Sequence, residues 1–143
     1  VLYHYYLRSS SQIHNMNKQD LENLKKYLLV TKENSKKLGI EEEFKADLEV
    51  MAFLHLAISW AFMVSYNKEV NMKEIQKDII KFLDENFSGW RKNKFYKLSH
   101  CFPKGLKFIC IWGVHLFYRM GLPGVYIKVN RFLLDVVKLE VKW

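Results

Sequence analysis

The sequence predicts a mainly α fold, a bundle of about five helices preceded by one β-strand. Three observations carry this. Apolar residues recur at helical spacing through most of the chain, half of the 143 residues are hydrophobic, and helix-start signals precede the periodic stretches. That composition supplies a core for about one domain and excludes a disordered chain.

The strand comes first. Val1-Leu2-Tyr3-His4-Tyr5-Tyr6-Leu7-Arg8 is extended and aromatic, and it runs into Ser9-Ser10-Ser11. No later segment offers it a clear partner, and an isolated strand is not stable in water. With no initiator Met in front of it, the expectation is that it belongs to a sheet outside this chain. Residues 1–15 form this first unit.

Residues 16–87 read as a three-helix region. Asn17-x-x-Asp20 resembles a capping box, Leu21, Leu24, Leu28 and Leu38 form the apolar stripe, and Gly39 is placed to end the helix. Glu22, Lys25, Lys26, Lys32, Glu33 and Lys36 are assigned to the water face. The second helix starts at Glu41-Glu42-Glu43. Three carboxylates there suit the positive end of the helix dipole, and adjacent side chains diverge too much to form a catalytic acid cluster.

From Val50 to Asn67 the chain carries no formal charge over 18 residues. That is the lower limit for a membrane span, and it also suits a central helix covered on all sides. His55, Ser59, Ser65 and the amphipathic lead-in at Phe44, Asp47 and Leu48 favour the central helix, with His55 as a core histidine. The third helix follows Asn71-x-x-Glu74, with Met72, Ile75, Ile79, Phe82 and Leu83 as its stripe and an end near Asn86.

Residues 88–143 form a basic, aromatic-rich helical region. A turn-rich connector spans 88–105. Leu106 to Met120 reads as an apolar helix, about 22 Å long and too short for the hydrocarbon core. Gly121-Leu122-Pro123-Gly124 breaks it, and Lys128, Arg131, Asp135 and Lys138 keep helical intervals to about Val137.

Charge divides the chain. Residues 1–87 hold 12 Lys/Arg against 13 Asp/Glu, whereas residues 88–143 hold 11 against 2. The net charge of +8 therefore resides in the last 56 residues, among Trp90, Phe95, Tyr96, Phe102, Phe108 and Trp112. Cations mixed with large aromatics suit an anionic membrane surface or a nucleic acid. No nucleic-acid motif is present, and the alternative reading of the chain is a basic helical binding module for nucleic acid or a membrane surface with no catalysis. Leu106–Met120 and Val125–Val137 are the interfacial candidates, with Lys107, Trp112, Arg119, Lys128 and Arg131 as the membrane-surface residues.

Conventional catalytic signals are absent. There is no glycine-rich phosphate loop and no supported Ser/His/Asp or Cys/His set. His100, Cys101, Cys110 and His115 are metal-ligand types, but their spacing matches no zinc pattern, and no metal ligand is assigned. Two cysteines do not make a disulfide framework, and reduced thiols are expected.

Leu2-Tyr3-His4-Tyr5-Tyr6-Leu7-Arg8-Ser9-Ser10-Ser11 resembles the end of the catalytic domain in bacterial family 2 glycosyltransferases, which finish on an aromatic Tyr-x-Tyr-(Tyr)-x-Arg strand followed by x-x-Ser. The family pattern then has an apolar residue, where this chain has Gln12, with Ile13 one place late. Trp90-Arg91-Lys92-Asn93-Lys94-Phe95 is similar to a stretch in the family's helical C-terminal region. The resemblance implies an α/β nucleotide-sugar domain of GT-A type preceding this chain. It implies inverting transfer of a sugar from a nucleotide-diphosphate sugar to a glycan or lipid-linked acceptor in cell-surface polysaccharide synthesis. A divalent Mg or Mn would be bound in that domain, and no catalytic residue lies in this fragment, which is expected to be inactive alone. The resemblance further implies that Arg8 and Ser11 contact the donor diphosphate, where a cation and a hydrogen-bond donor meet the charge that builds on the leaving group. His4 and His14 are additional loop candidates. The expected location is the cytoplasm, peripheral at the inner face of the plasma membrane.

Overall fold

In the computed structural model, helix α1 spans Lys18–Lys37, α2 Glu41–Phe53, α3 Met72–Asn86, α4 Leu98–Cys101, α5 Leu106–Arg119 and α6 Pro123–Asp135. The structure describes residues 17–61 and 71–135, with the backbone alone for 130–135. The fold is mainly α, as the periodicity predicts, and among the described residues there is no strand. The strand expected at the N-terminus, with His4, Arg8, Ser11 and His14, lies outside the described residues.

Helix α1 begins as its sequence requires. The Asn17 side chain accepts from the Gln19 and Asp20 amides, and the Asp20 carboxylate accepts from the Asn17 amide, so both halves of the capping box form. Leu21 and Leu28 are fully buried, but Leu38 is 72% exposed. Ten residues separate Leu28 from Leu38, a rotation about 80° off the stripe, and Leu38 already occupies the C-cap. Gly39 follows at φ +71°, and the Gly39 and Ile40 amides return to the Lys36 and Ser35 carbonyls, closing the helix in the left-handed manner that favours glycine.

Lys25, assigned to the water face, is instead buried. Its ammonium lies 2.9 Å from Glu22 and 2.5 Å from Asp78 of α3 and sits over the Phe82 ring. Burial works against its charge, but the two carboxylates prevail and raise its pKa.

Helix α2 continues through a wider, π-helical stretch at Leu54–Trp60. Phe53, Leu56, Ala57, Ile58, Trp60 and Ala61 are buried, so the uncharged stretch forms the centre of the core in its described part. Among the described residues no helix is long and apolar enough to cross a membrane. His55 corrects its assignment: it is exposed, because the helix is not covered on every side. Helix α3 buries Ile75, Ile79, Phe82 and Leu83 as predicted, with Gln76 beside them, and the Asn71 side chain caps it.

The connector at 88–105 is more ordered than its turn-rich composition suggests. Two 3-10 turns, Ser88–Lys92 and Lys94–Tyr96, lead into α4 and a further 3-10 turn, Phe102–Lys104. The core runs from α1, α2 and α3 through Trp90 and Tyr96 to Ile111, Val114 and Tyr118 of α5 and Tyr126 and Ile127 of α6.

Candidate anionic-surface site

The basic region divides into two adjacent parts. The first, around Trp90, is built inward. Trp90 is fully buried and stacks on Phe53 at 5.4 Å between centroids. Its indole N–H donates to Asp84 at 2.9 Å. Arg91 grips the same carboxylate with Nε and Nη2, both at 2.8 Å, while its guanidinium lies over the Trp90 ring. The Arg91 fork holds the Asp84 carboxyl below its usual range; burial opposes this and the Trp90 N–H adds to it.

Asn93 is fully engaged. Its Nδ2 donates to the Ala46 carbonyl at 2.8 Å and to Glu49 at 3.1 Å, and its Oδ1 accepts from the Phe95 amide. The Glu49 carboxylate lies against Gly89, so a side chain at that position would require the carboxylate bonded to Asn93 to shift. Trp90, Arg91, Asn93 and Phe95 of the Trp-Arg-Lys-Asn-Lys-Phe stretch thus tie this segment to α2, α3 and the core.

His115 lies beneath, stacked on Tyr96 at 4.1 Å and edge-on to Trp90 and Phe53. Its Nε2 is 2.9 Å from the Trp90 carbonyl, which can only accept, so this nitrogen carries the proton. Burial lowers its pKa to about 4; the carbonyl bond resists, and the Arg119 and Arg91 charges reinforce the fall. Burial also pushes the Tyr96 and Tyr118 phenols well above their ordinary value.

The second part, residues 97–107, faces outward. Leu98 and Phe102, four apart on one helical turn, are 45% and 68% exposed, and Leu106 is 76% exposed. Lys97, Lys104 and Lys107 alternate with them and are exposed. Gly105, at φ +97°, lets the chain turn from the short helical segment into α5. Lys104 is held in place: its ammonium lies 5.5 Å from the Phe95 centroid and 5.3 Å from that of Phe108. It also donates to Nε2 of His100 at 2.7 Å. Among the described residues, Lys94, Lys97, Lys104 and Lys107 form no ion pair, whereas Lys25 and Arg91 do.

The membrane-surface candidates are distributed over this region. Lys107 belongs to the exposed ridge, Trp112 is half-buried within α5, and Arg119 is exposed at the far end of α5, with its carbonyl accepting from Arg91. Twelve residues of helix, about 18 Å, separate Lys107 from Arg119, so they do not form one patch. Lys128 is exposed on α6; Arg131 belongs to α6, and its side chain lies outside the described residues. Sequence reasoning missed Leu98, Phe102 and Lys104 because 88–105 reads as connector. The available signal was the alternation of cations and apolar residues from Lys97 to Lys107.

The metal-ligand types stay apart. Cys101 is buried with Sγ 3.2 Å from the Phe95 carbonyl, both cysteines are free, and no group of three or more ligating side chains occurs among the described residues. The divalent metal that the resemblance implies is assigned to the catalytic domain and not to these residues. The chain matches no protein-family model, no curated protein and no solved structure.

Proposed function

We propose that this chain is the helical C-terminal region of a family 2 glycosyltransferase and that residues 97–107 seat the enzyme on an anionic membrane surface. The observation that carries the membrane part is the exposed ridge of Leu98, Phe102 and Leu106, interleaved with Lys97, Lys104 and Lys107. Apolar tips gain by leaving water, and cations beside them gain from anionic headgroups at about 1 kcal/mol each. A nucleic acid would use the lysines but gains little from exposed leucines, so charge and apolarity together favour the lipid surface.

The enzymatic part rests on the resemblance at Tyr3–Ser11. In this reading Arg8 and Ser11 stabilise the diphosphate leaving group of a nucleotide-diphosphate sugar, and the acceptor is a glycan or a lipid-linked glycan at the inner face of the membrane. An α/β domain with an Asp-x-Asp-type motif and its divalent metal is then expected upstream of Val1. The coding sequence preceding Val1 tests this, and a different domain there removes the glycosyltransferase reading. Flotation with anionic vesicles beside an RNA and DNA shift assay tests the surface. Tight, salt-sensitive binding to nucleic acid without vesicle binding overturns the membrane assignment.

A further inference from the structure

Beside the ridge lies a groove of about 620 Å³ between α2 and residues 93–104. Its apolar wall includes Val50 and Phe95, and its polar rim carries Lys94, Lys97 and Lys104 with His100. Asp47 is the single carboxylate among the lining residues. Three lysines against one carboxylate in the lining leave an excess of positive charge, and among the described residues these three lysines have no ion-pair partner.

The molecule has a second groove for comparison. It lies between α1 and α3 and is lined by Lys25, Lys26 and Lys81 with Glu22, Asp78 and Glu85. There cations and carboxylates balance, and Lys25 is already bonded to two of the acids. Nothing is left over for a ligand. In the groove at 93–104 the opposite holds, although lysines repel one another and gain nothing from proximity unless an anion is shared. Lys104 is also pre-positioned by two aromatic faces and an imidazole acceptor, which reduces the ordering cost of binding.

We propose that this groove is a phosphate-binding site, with Lys94, Lys97 and Lys104 as the cationic donors, and that it takes the phosphomonoester of a lipid headgroup. The lipid source rests on the membrane-surface reading above; the phosphate chemistry does not. A phosphomonoester carries up to two negative charges and several acceptor oxygens, enough to engage three ammonium groups at once. A headgroup held in a diester with a compensating amine offers less charge to the same donors. The apolar wall and the neighbouring ridge suit the hydrocarbon that follows the phosphate.

Two measurements on the full chain test this. Inorganic pyrophosphate is titrated while the His100 ring resonances are followed by NMR, and flotation is compared on phosphatidylcholine vesicles containing phosphatidic acid or phosphatidylserine at matched surface charge. The site predicts a saturable His100 shift and about tenfold preference for phosphatidic acid, both lost in K94Q/K97Q/K104Q, whereas K77Q, an exposed lysine of α3 outside the groove, keeps them. The ridge variant L98S/F102S/L106S is expected to leave both kinds of vesicle yet keep the pyrophosphate response. No His100 shift in the wild type, or a shift that survives K94Q/K97Q/K104Q, overturns the phosphate site. A shift removed by K94Q/K97Q/K104Q with equal flotation on both vesicles overturns the lipid source and assigns the groove to free phosphate. Failure of the wild type to float on either vesicle, with the His100 shift intact, removes the membrane reading and the lipid source with it and leaves the phosphate site.

Discussion

Residues 84–96 and residues 97–107 are neighbours in sequence and both carry cations beside large apolar side chains, yet they use them in opposite ways. In the first, Arg91 is bound to Asp84, Trp90 is buried, and Asn93 spends its amide on α2. In the second, among the described residues, lysines stand without a carboxylate ion pair beside exposed leucines and a phenylalanine. Bonding to Asp84 and Glu49 makes the difference: these two acids engage Trp90, Arg91 and Asn93. Lys97 and Lys104 share their groove with Asp47 of α2 but, among the described residues, are ion-paired to no carboxylate and remain available to a partner.

The largest expected effect breaks the buried half. Trp90→Ala removes a ring packed on Phe53 and His115 and leaves the Asp84 carboxylate without its indole donor, and it should cost about 3–5 kcal/mol in urea unfolding. The exposed half should behave differently: Phe102→Ser should leave unfolding within about 0.5 kcal/mol and act on vesicle binding. A destabilisation of comparable size in both would erase the distinction between the two parts.

The next effect is a pH dependence. His115 has a folded pKa near 4 against an ordinary 6.5, so the unfolded chain binds its proton more readily. Its contribution is fully retained above about pH 6.5 and is lost as pH falls toward 4, on the order of 2–3 kcal/mol in total. Unfolding free energy measured across that window should fall with decreasing pH in the wild type and fall less steeply in His115→Phe. Equal slopes would mean that the imidazole is not buried under Trp90 as described.

A smaller effect sharpens the first half. Asp84→Asn keeps a hydrogen-bonding group for Trp90 but loses the charged fork with Arg91. Both partners are partly exposed, so solvent screening limits the cost to about 1 kcal/mol at neutral pH. Because the Arg91 bond lowers the Asp84 pKa, the wild-type advantage should be present above the unfolded carboxyl's pKa of about 4 and vanish as acid protonates the folded group. An advantage that persists in acid would locate the effect in packing.

Helical periodicity made α1, α3 and α5 legible because each carries a stripe repeated over several turns, and the cap at Asn17 is a local hydrogen-bond pattern that needs no tertiary partner. Long-range choices were not legible. Lys25 reads as surface until Asp78 of another helix is known to face it, and His55 reads as core because an uncharged run does not reveal which of its sides is covered. The candidate site is a similar case: its lysines are visible as composition, but the groove depends on long-range bonds to α2, from Asn93 to Ala46 and Glu49 and from Tyr96 to Val50.

The smallest expected change in stability is the one that separates the two halves most cleanly. Lys104→Gln removes an ammonium that lies over two rings and donates to His100, but that ammonium stands at an exposed position with no carboxylate left behind. Losing a cation there costs the cation–π attraction, roughly 0.5 kcal/mol at an exposed site, and gains relief from repulsion by Lys94 and Lys97. The two should nearly cancel. Lys25→Gln is the matched control, since it leaves Asp78 and Glu22 unpaired beside Phe82 and should cost distinctly more. If added salt or pyrophosphate stabilises the wild type and Lys25→Gln but not Lys104→Gln, the repulsion in the groove is real and an anion relieves it. Equal responses in all three chains would place Lys104 among the ordinary solvated lysines.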